Sequence, residues 1–98
     1  MNLYPALVHK DEDSDYGVSF PDFPGCVTGD ATLEGAYELA LEALQAHIED
    51  MQAHGEPIPS PTPLREAVAL GHQEAALTIL MIPTTFRAPA PRPYAESA

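Results

Sequence analysis

The chain has 98 residues and a formal net charge of −11, from fifteen Asp and Glu against four Lys and Arg. That length allows one domain, and that charge argues against a nucleic-acid surface and for simple solubility or a basic partner. The lone cysteine, Cys26, has no internal partner for a disulfide, so a reducing, cytoplasmic setting is expected. No apolar run is long enough to span a bilayer, and no charged leader opens the chain.

Leu3 to Lys10 reads as a first strand, with Pro5 pointing to an edge or a bulge. Asp11-Glu12-Asp13-Ser14-Asp15 follows as a charged turn. It lacks the spaced ligands, central glycine and distal glutamate of a hand-type calcium loop, so it reads as a solvated hairpin turn. The next stretch, Tyr16 to Gly25, organises the chain. Val18 and Phe20 alternate with Gly17 and Ser19, which gives one apolar face and one nearly bare face. Pro21 removes a ladder donor and Pro24-Gly25 turns the chain. Cys26 to Thr28 is a short third strand with Val27 as its expected core contact, broken by Gly29-Asp30.

From Thr32 to His54 the pattern is one long helix. Thr32 suits the N-cap, and Glu34 stands in the first turn, where the helix dipole favours an acid. Gly35 stands where a capping-box glutamate belongs, which weakens the expected cap. Leu33, Ala36, Tyr37, Ala40, Leu41, Leu44, Ile48 and Met51 recur at steps of three and four as one apolar stripe. The acids and glutamines lie off it, and Gly55 suits a left-handed cap.

Pro57, Pro59, Pro61 and Pro63 make the next segment extended and stiff. Thr62 and Pro63 suit the N-cap and first position of a short helix, Leu64 to Leu70, closed by Gly71. Ala75 to Ile82 reads as a strand buried on both faces and ended by Pro83. A folded unit over residues 1–82 is expected, followed by a disordered proline-rich tail over residues 83–98. The fold class is α+β: a three-stranded antiparallel meander, a helix over its apolar face, and a fourth strand parallel to the first in the order 3-2-1-4.

Three stretches carry a family resemblance: Tyr4-Pro5-Ala6-Leu7, the acidic turn from Lys10 to Tyr16, and Gly17-Val18-Ser19-Phe20-Pro21-Asp22-Phe23-Pro24-Gly25-Cys26. With Thr32-Leu33-Glu34 and Gly55-Glu56-Pro57-Ile58-Pro59, they make residues 3 to 82 closely resemble the HicB antitoxin family. The resemblance implies a partial ribonuclease-H-like fold. It also implies a role in binding and silencing HicA, a small basic ribonuclease that cleaves messenger RNA. Many members add a C-terminal DNA-binding segment. The sixteen proline-rich residues after Ile82 do not suit such a module, so no direct DNA binding is expected of this chain.

Charge and patterning favour binding over catalysis. Between Asp11 and Glu56 stand twelve acidic residues and no lysine or arginine. By charge alone these acids serve solubility. With the family resemblance they become candidate contacts for a basic toxin: Glu34, Glu38, Glu42 and Glu49 on the helix, and Asp11, Asp13 and Asp15 in the turn. No enzyme is expected. Two-metal hydrolysis needs acids converging from neighbouring strands, and neither the first strand nor the last carries one. His47 and His54 lie about 10 Å apart along a helix, too far to share an ion, and no cofactor motif is present. Gly17 and Ser19 leave the second strand bare enough for a subunit to approach, so self-association is expected. The alternative reading is an orphan self-associating module of the same family without a toxin.

Overall fold

A computed structural model describes residues 2–85. Six elements follow in order: β1 (Asn2–His9), β2 (Tyr16–Ser19), β3 (Val27–Asp30), α1 (Leu33–Ala53), α2 (Leu64–Gln73) and β4 (Thr78–Thr84). The strands form one sheet in the order β3-β2-β1-β4, and every neighbouring pair is antiparallel.

The strand order is the one expected, but the direction of β4 is not: β4 runs antiparallel to β1. The reason is the number of traverses between β3 and β4. A single crossover on α1 would bring the chain back to start a strand parallel to β1. Instead α1 travels about 31 Å along the sheet, and the proline segment with α2 then carries the chain back. The Leu77 N–H donates to the Val8 carbonyl at 2.7 Å, close to the paired His9 and Gly17, so the chain re-enters at the end of the sheet where β2 begins. From there only an antiparallel course along β1 is open.

Alternation divides the sheet into two faces. Tyr4, Ala6 and Val8 of β1, Val18 of β2, Phe20 and Ile82 of β4 pack with Ala36, Ala40, Leu44 and Ile48 of α1 as the core. Those four α1 residues are the fully buried line of the expected stripe; Leu33, Tyr37, Leu41 and Met51 are only half-buried. On the other face, α2 backs onto β1 and β4. Gly71 is buried within α2 rather than closing it, because a Cβ there would stand 3.0 Å from Ile79 Cδ1. The left-handed residue after the helix is Ala75, at φ 58°, and the Ala76 N–H returns to the Gly71 carbonyl at 2.8 Å.

Three further expectations are corrected. Val27 is 66% exposed, and Cys26, at 4%, points inward in its place. Two successive turns, Phe23 N–H to Phe20 O at 3.1 Å and Cys26 N–H to Phe23 O at 2.9 Å, bring the chain into β3 with Val27 opposite Ser19 on the bare face. β4 continues through Pro83, which pairs with Leu3, to a buried Thr84. A sheet edge tolerates the missing N–H, and at that edge β4 is not buried on both faces. Residues 83–85 therefore belong to the fold, while the rest of the expected tail lies outside the described residues. Thr62 does not cap α2. Pro63 holds that position without a side-chain bond, and the Thr62 side chain is engaged by Asp22.

Candidate protein-binding site

The start of α1 sets the geometry of the candidate surface. The Thr32 Oγ1 accepts the Gly35 N–H at 2.9 Å, as an N-cap should. The Asp30 carboxylate then accepts both the Thr32 N–H and the Thr32 hydroxyl at 3.1 Å. Asp30 thus does the work of the missing capping-box glutamate from the other side of the cap, and a Cβ at residue 35 would collide with it. This cap fixes the first turns of α1 at the end of β3 and presents Glu34 and Glu38 to solvent beside Leu33 and Tyr37.

Between α1 and β4 lies a groove of about 510 Å³. Leu33, Tyr37, Leu41 and Leu80 line it, and Glu34 and Glu38 stand among them. It is apolar in its floor and acidic at its wall. Leu41 also lines a second hollow of about 280 Å³ with Gln45, Pro83, Thr84 and Thr85, so the apolar surface continues along the helix–strand seam. Thr84 Oγ1 donates to Gln45 Oε1 at 3.2 Å, and Gln45 Nε2 donates to Glu49 Oε2 at 3.0 Å, which ties the seam together.

The seven predicted acids are all exposed, but they do not form one patch. Glu34 and Glu38 belong to the groove. Glu42 lies one turn further along α1, and Glu49 is spent on Gln45. Asp11, Asp13 and Asp15 sit in the hairpin turn, where the Ser14 hydroxyl accepts the Asp11 N–H at 2.8 Å. Gly17 lies opposite Gly29 on the second sheet face, with Ser19 opposite the exposed Val27.

Sequence reasoning missed a clasp between the sheet side of the chain and the proline segment. Asp22, in the Phe-Pro-Asp-Phe-Pro-Gly stretch, accepts the Thr62 N–H at 2.9 Å through Oδ2 and the Thr62 hydroxyl at 2.7 Å through Oδ1. The fully buried Tyr4 hydroxyl donates to the Pro59 carbonyl at 2.6 Å. Burial, with the Asp22 charge as a smaller contribution, pushes the Tyr4 phenol up to about 12. Together they pin the proline segment to the sheet. The signal was an acid set between prolines in a turn, whose partner lies forty residues away. Phe23 is central here, edge-on to Tyr4 at 4.9 Å and to His47 at 5.7 Å.

Other candidates are less built. Burial raises the Cys26 thiol, which disfavours a reactive thiolate. Val68, His72, Leu77 and Ile79 line a hollow of about 290 Å³ beside α2, with no carboxylate in its wall. Among the described residues no three His, Cys, Asp or Glu side chains gather as a metal site, and no helix is long and apolar enough to cross a membrane.

Residues 4–88 match the model of a family described as the HicB_like antitoxin of bacterial toxin–antitoxin systems. The chain is 35% identical over 79 residues to Antitoxin HicB 1 of Photorhabdus laumondii subsp. laumondii, covering 81% of this chain and 51% of that protein. It spans about half the length of two of the curated relatives that it matches, 49% of one and 51% of the other. The N-terminal domain of the Burkholderia pseudomallei antitoxin HicB has a similar structure. Its TM-score is 0.73 at 30% identity, over 88% of this chain and 100% of that one. A chain of a HicA3 and HicB3 toxin–antitoxin complex is similar with a TM-score of 0.68 at 25% identity, over 83% and 95% of the two chains.

Proposed function

Because this chain belongs to the HicB-like antitoxin family, we propose that it neutralises a small, basic, HicA-type ribonuclease by holding it on the groove between α1 and β4. The observation that carries this reading is an apolar floor with carboxylates in its wall: Leu33, Tyr37, Leu41 and Leu80 beside Glu34 and Glu38. A ribonuclease must carry cationic groups to hold phosphates, and these carboxylates address the same groups. Exposed ion pairs contribute only about 0–1 kcal/mol each. The half-buried apolar residues therefore supply most of the affinity, and the acids set orientation and association rate. The antitoxin has no catalytic part in this mechanism and acts in the cytoplasm beside its toxin.

Support for this partner comes from the similar chain solved in a HicA3 and HicB3 toxin–antitoxin complex. The test is co-expression with any small basic protein found to be encoded beside this one. The wild-type chain should rescue growth and copurify with that protein. The double variant Tyr37→Ala, Leu41→Ala should do neither while keeping the wild-type circular dichroism spectrum. Failure of the wild-type chain to rescue growth or to copurify would remove this reading and leave the orphan-module alternative.

A further inference from the structure

We propose that the α1–β4 groove takes a segment of its own chain: the stretch from Phe86 to Tyr94 turns back after Thr85 and lies along Leu33, Tyr37, Leu41 and Leu80. The place of Thr85 is the first reason. Thr85 lines the lower hollow with Leu41, Gln45, Pro83 and Thr84, and Leu41 lines the groove as well. The next residues therefore start at the mouth of the groove. α1 and β4 run side by side in the same direction, since Leu80 faces Leu33 and Tyr37 while Pro83 and Thr84 face Gln45. The backbone bends at Thr85, and a chain that reverses there climbs the seam toward Leu33.

Complementary chemistry is the second reason. The stretch reads Phe-Arg-Ala-Pro-Ala-Pro-Arg-Pro-Tyr. It holds two of the four Lys and Arg residues of the chain, Arg87 and Arg92, and no acid. The groove offers the opposite: an apolar floor that includes the Tyr37 ring, with Glu34 and Glu38 in its wall. Pro89, Pro91 and Pro93 favour an extended backbone that loses little entropy on binding, and aromatic-lined grooves suit such segments. The lengths agree. From Gln45 back to Glu34, α1 rises about 16 Å. At about 3.1 Å per residue in extended form, Arg87 to Arg92 also spans about 16 Å. Arg92 then meets Glu34 and Glu38 while Arg87 stays beside Glu42, as charge-assisted pairs require. Attachment at Thr85 gives the segment an effective concentration in about the millimolar range, an advantage that the same segment from a second copy lacks. A basic partner that takes the groove has to displace it. The inference concerns the chain alone and does not depend on the toxin reading.

The experiment uses the full chain without a toxin and a nitroxide attached at Ala90→Cys. Wild-type protein treated in the same way, with only the buried Cys26, is the control. In nuclear magnetic resonance spectra the amide signals of Leu33, Tyr37 and Leu41 should lose most of their intensity. Those of Val68 and His72, on the other side of the sheet, should keep theirs. Glu34→Gln with Glu38→Gln should restore the lost signals, and so should Arg87→Gln with Arg92→Gln. Full intensity along α1, or an equal loss at α1 and α2, would overturn the proposal. A loss that persists in both double variants would overturn it too, because the charges would then not hold the segment. Mixing isotope-labelled chain without nitroxide and nitroxide-bearing chain without isotope separates the sources: loss at Leu33 to Leu41 in that mixture would make a second copy the occupant and overturn the intramolecular contact.

Discussion

Asp30 occupies the space that a side chain on residue 35 would need. Its Cγ lies 2.6 Å from where a Cβ on Gly35 would stand, and its Oδ2 holds Thr32 by both the amide and the hydroxyl. Glycine early in a helix normally costs about 1 kcal/mol relative to alanine. Here it is the only residue that leaves the Asp30 carboxylate in place.

Gly35→Ala should therefore destabilise the protein, by about 1–2 kcal/mol in urea unfolding, where propensity alone predicts a gain. Asp30→Ala should also destabilise it, through the loss of the Thr32 bonds, by about 1 kcal/mol. The double variant should lose less than the sum of the two. Strict additivity would show that the two residues do not compete for that space.

Asp22→Ala should cost about 1–3 kcal/mol, because it leaves the Thr62 amide and hydroxyl without the acceptor that pins the proline segment. The Thr62 amide should then exchange with solvent faster than in the wild type. Unchanged exchange at Thr62 would mean that the clasp does not hold the segment.

Tyr4 gives a pH signature. Its folded pKa is pushed up to about 12, above the unfolded value of about 10. The folded state therefore holds this proton when the unfolded state has released it, so stability is intact below about pH 10 and falls as pH rises toward 12. Absorbance titration of the phenolates should show Tyr4 ionising late, together with unfolding. A phenol at position 4 that titrates near 10 without unfolding would contradict this.

Ala75 adopts φ 58°, in the left-handed region that disfavours a Cβ. Ala75→Gly should stabilise the protein by about 0.5–1 kcal/mol, the left-handed penalty less the extra entropy of glycine. A loss of stability would place the strain elsewhere.

Position on the groove should separate the acids by effect. Glu34→Gln with Glu38→Gln should slow association with the proposed basic toxin and flatten its salt dependence, whereas Glu49→Gln should change neither. Stopped-flow rates across a salt series measure this. An equal effect from all three positions would mean that net charge alone steers the partner.

The order of elements and of strands was already legible in the sequence. So were both ends of α1 and the inward face of β2, because each rests on local rules: Thr32 as a cap, Gly55 as a left-handed residue, and a strict alternation from Val18 to Phe20. The family was legible too, since the stretches that resemble it, Gly17 to Cys26 the longest, are each runs of neighbouring residues. Other features depend on contacts between distant segments, and only the tertiary structure decided them. The direction of β4 follows from a second traverse that no local pattern counts. The inward turn of Cys26 in place of Val27 follows from the two turns before it. The apolar character of β4 suggested burial on both faces, yet as the last strand of the sheet among the described residues it keeps most of its side chains half-buried. The acids looked like one surface because they crowd one stretch of sequence. Folding sets Glu34 and Glu38 against an apolar groove and leaves the hairpin acids in their own exposed turn. Composition determined that the chain is anionic; packing determined which of its charges have an apolar floor beside them.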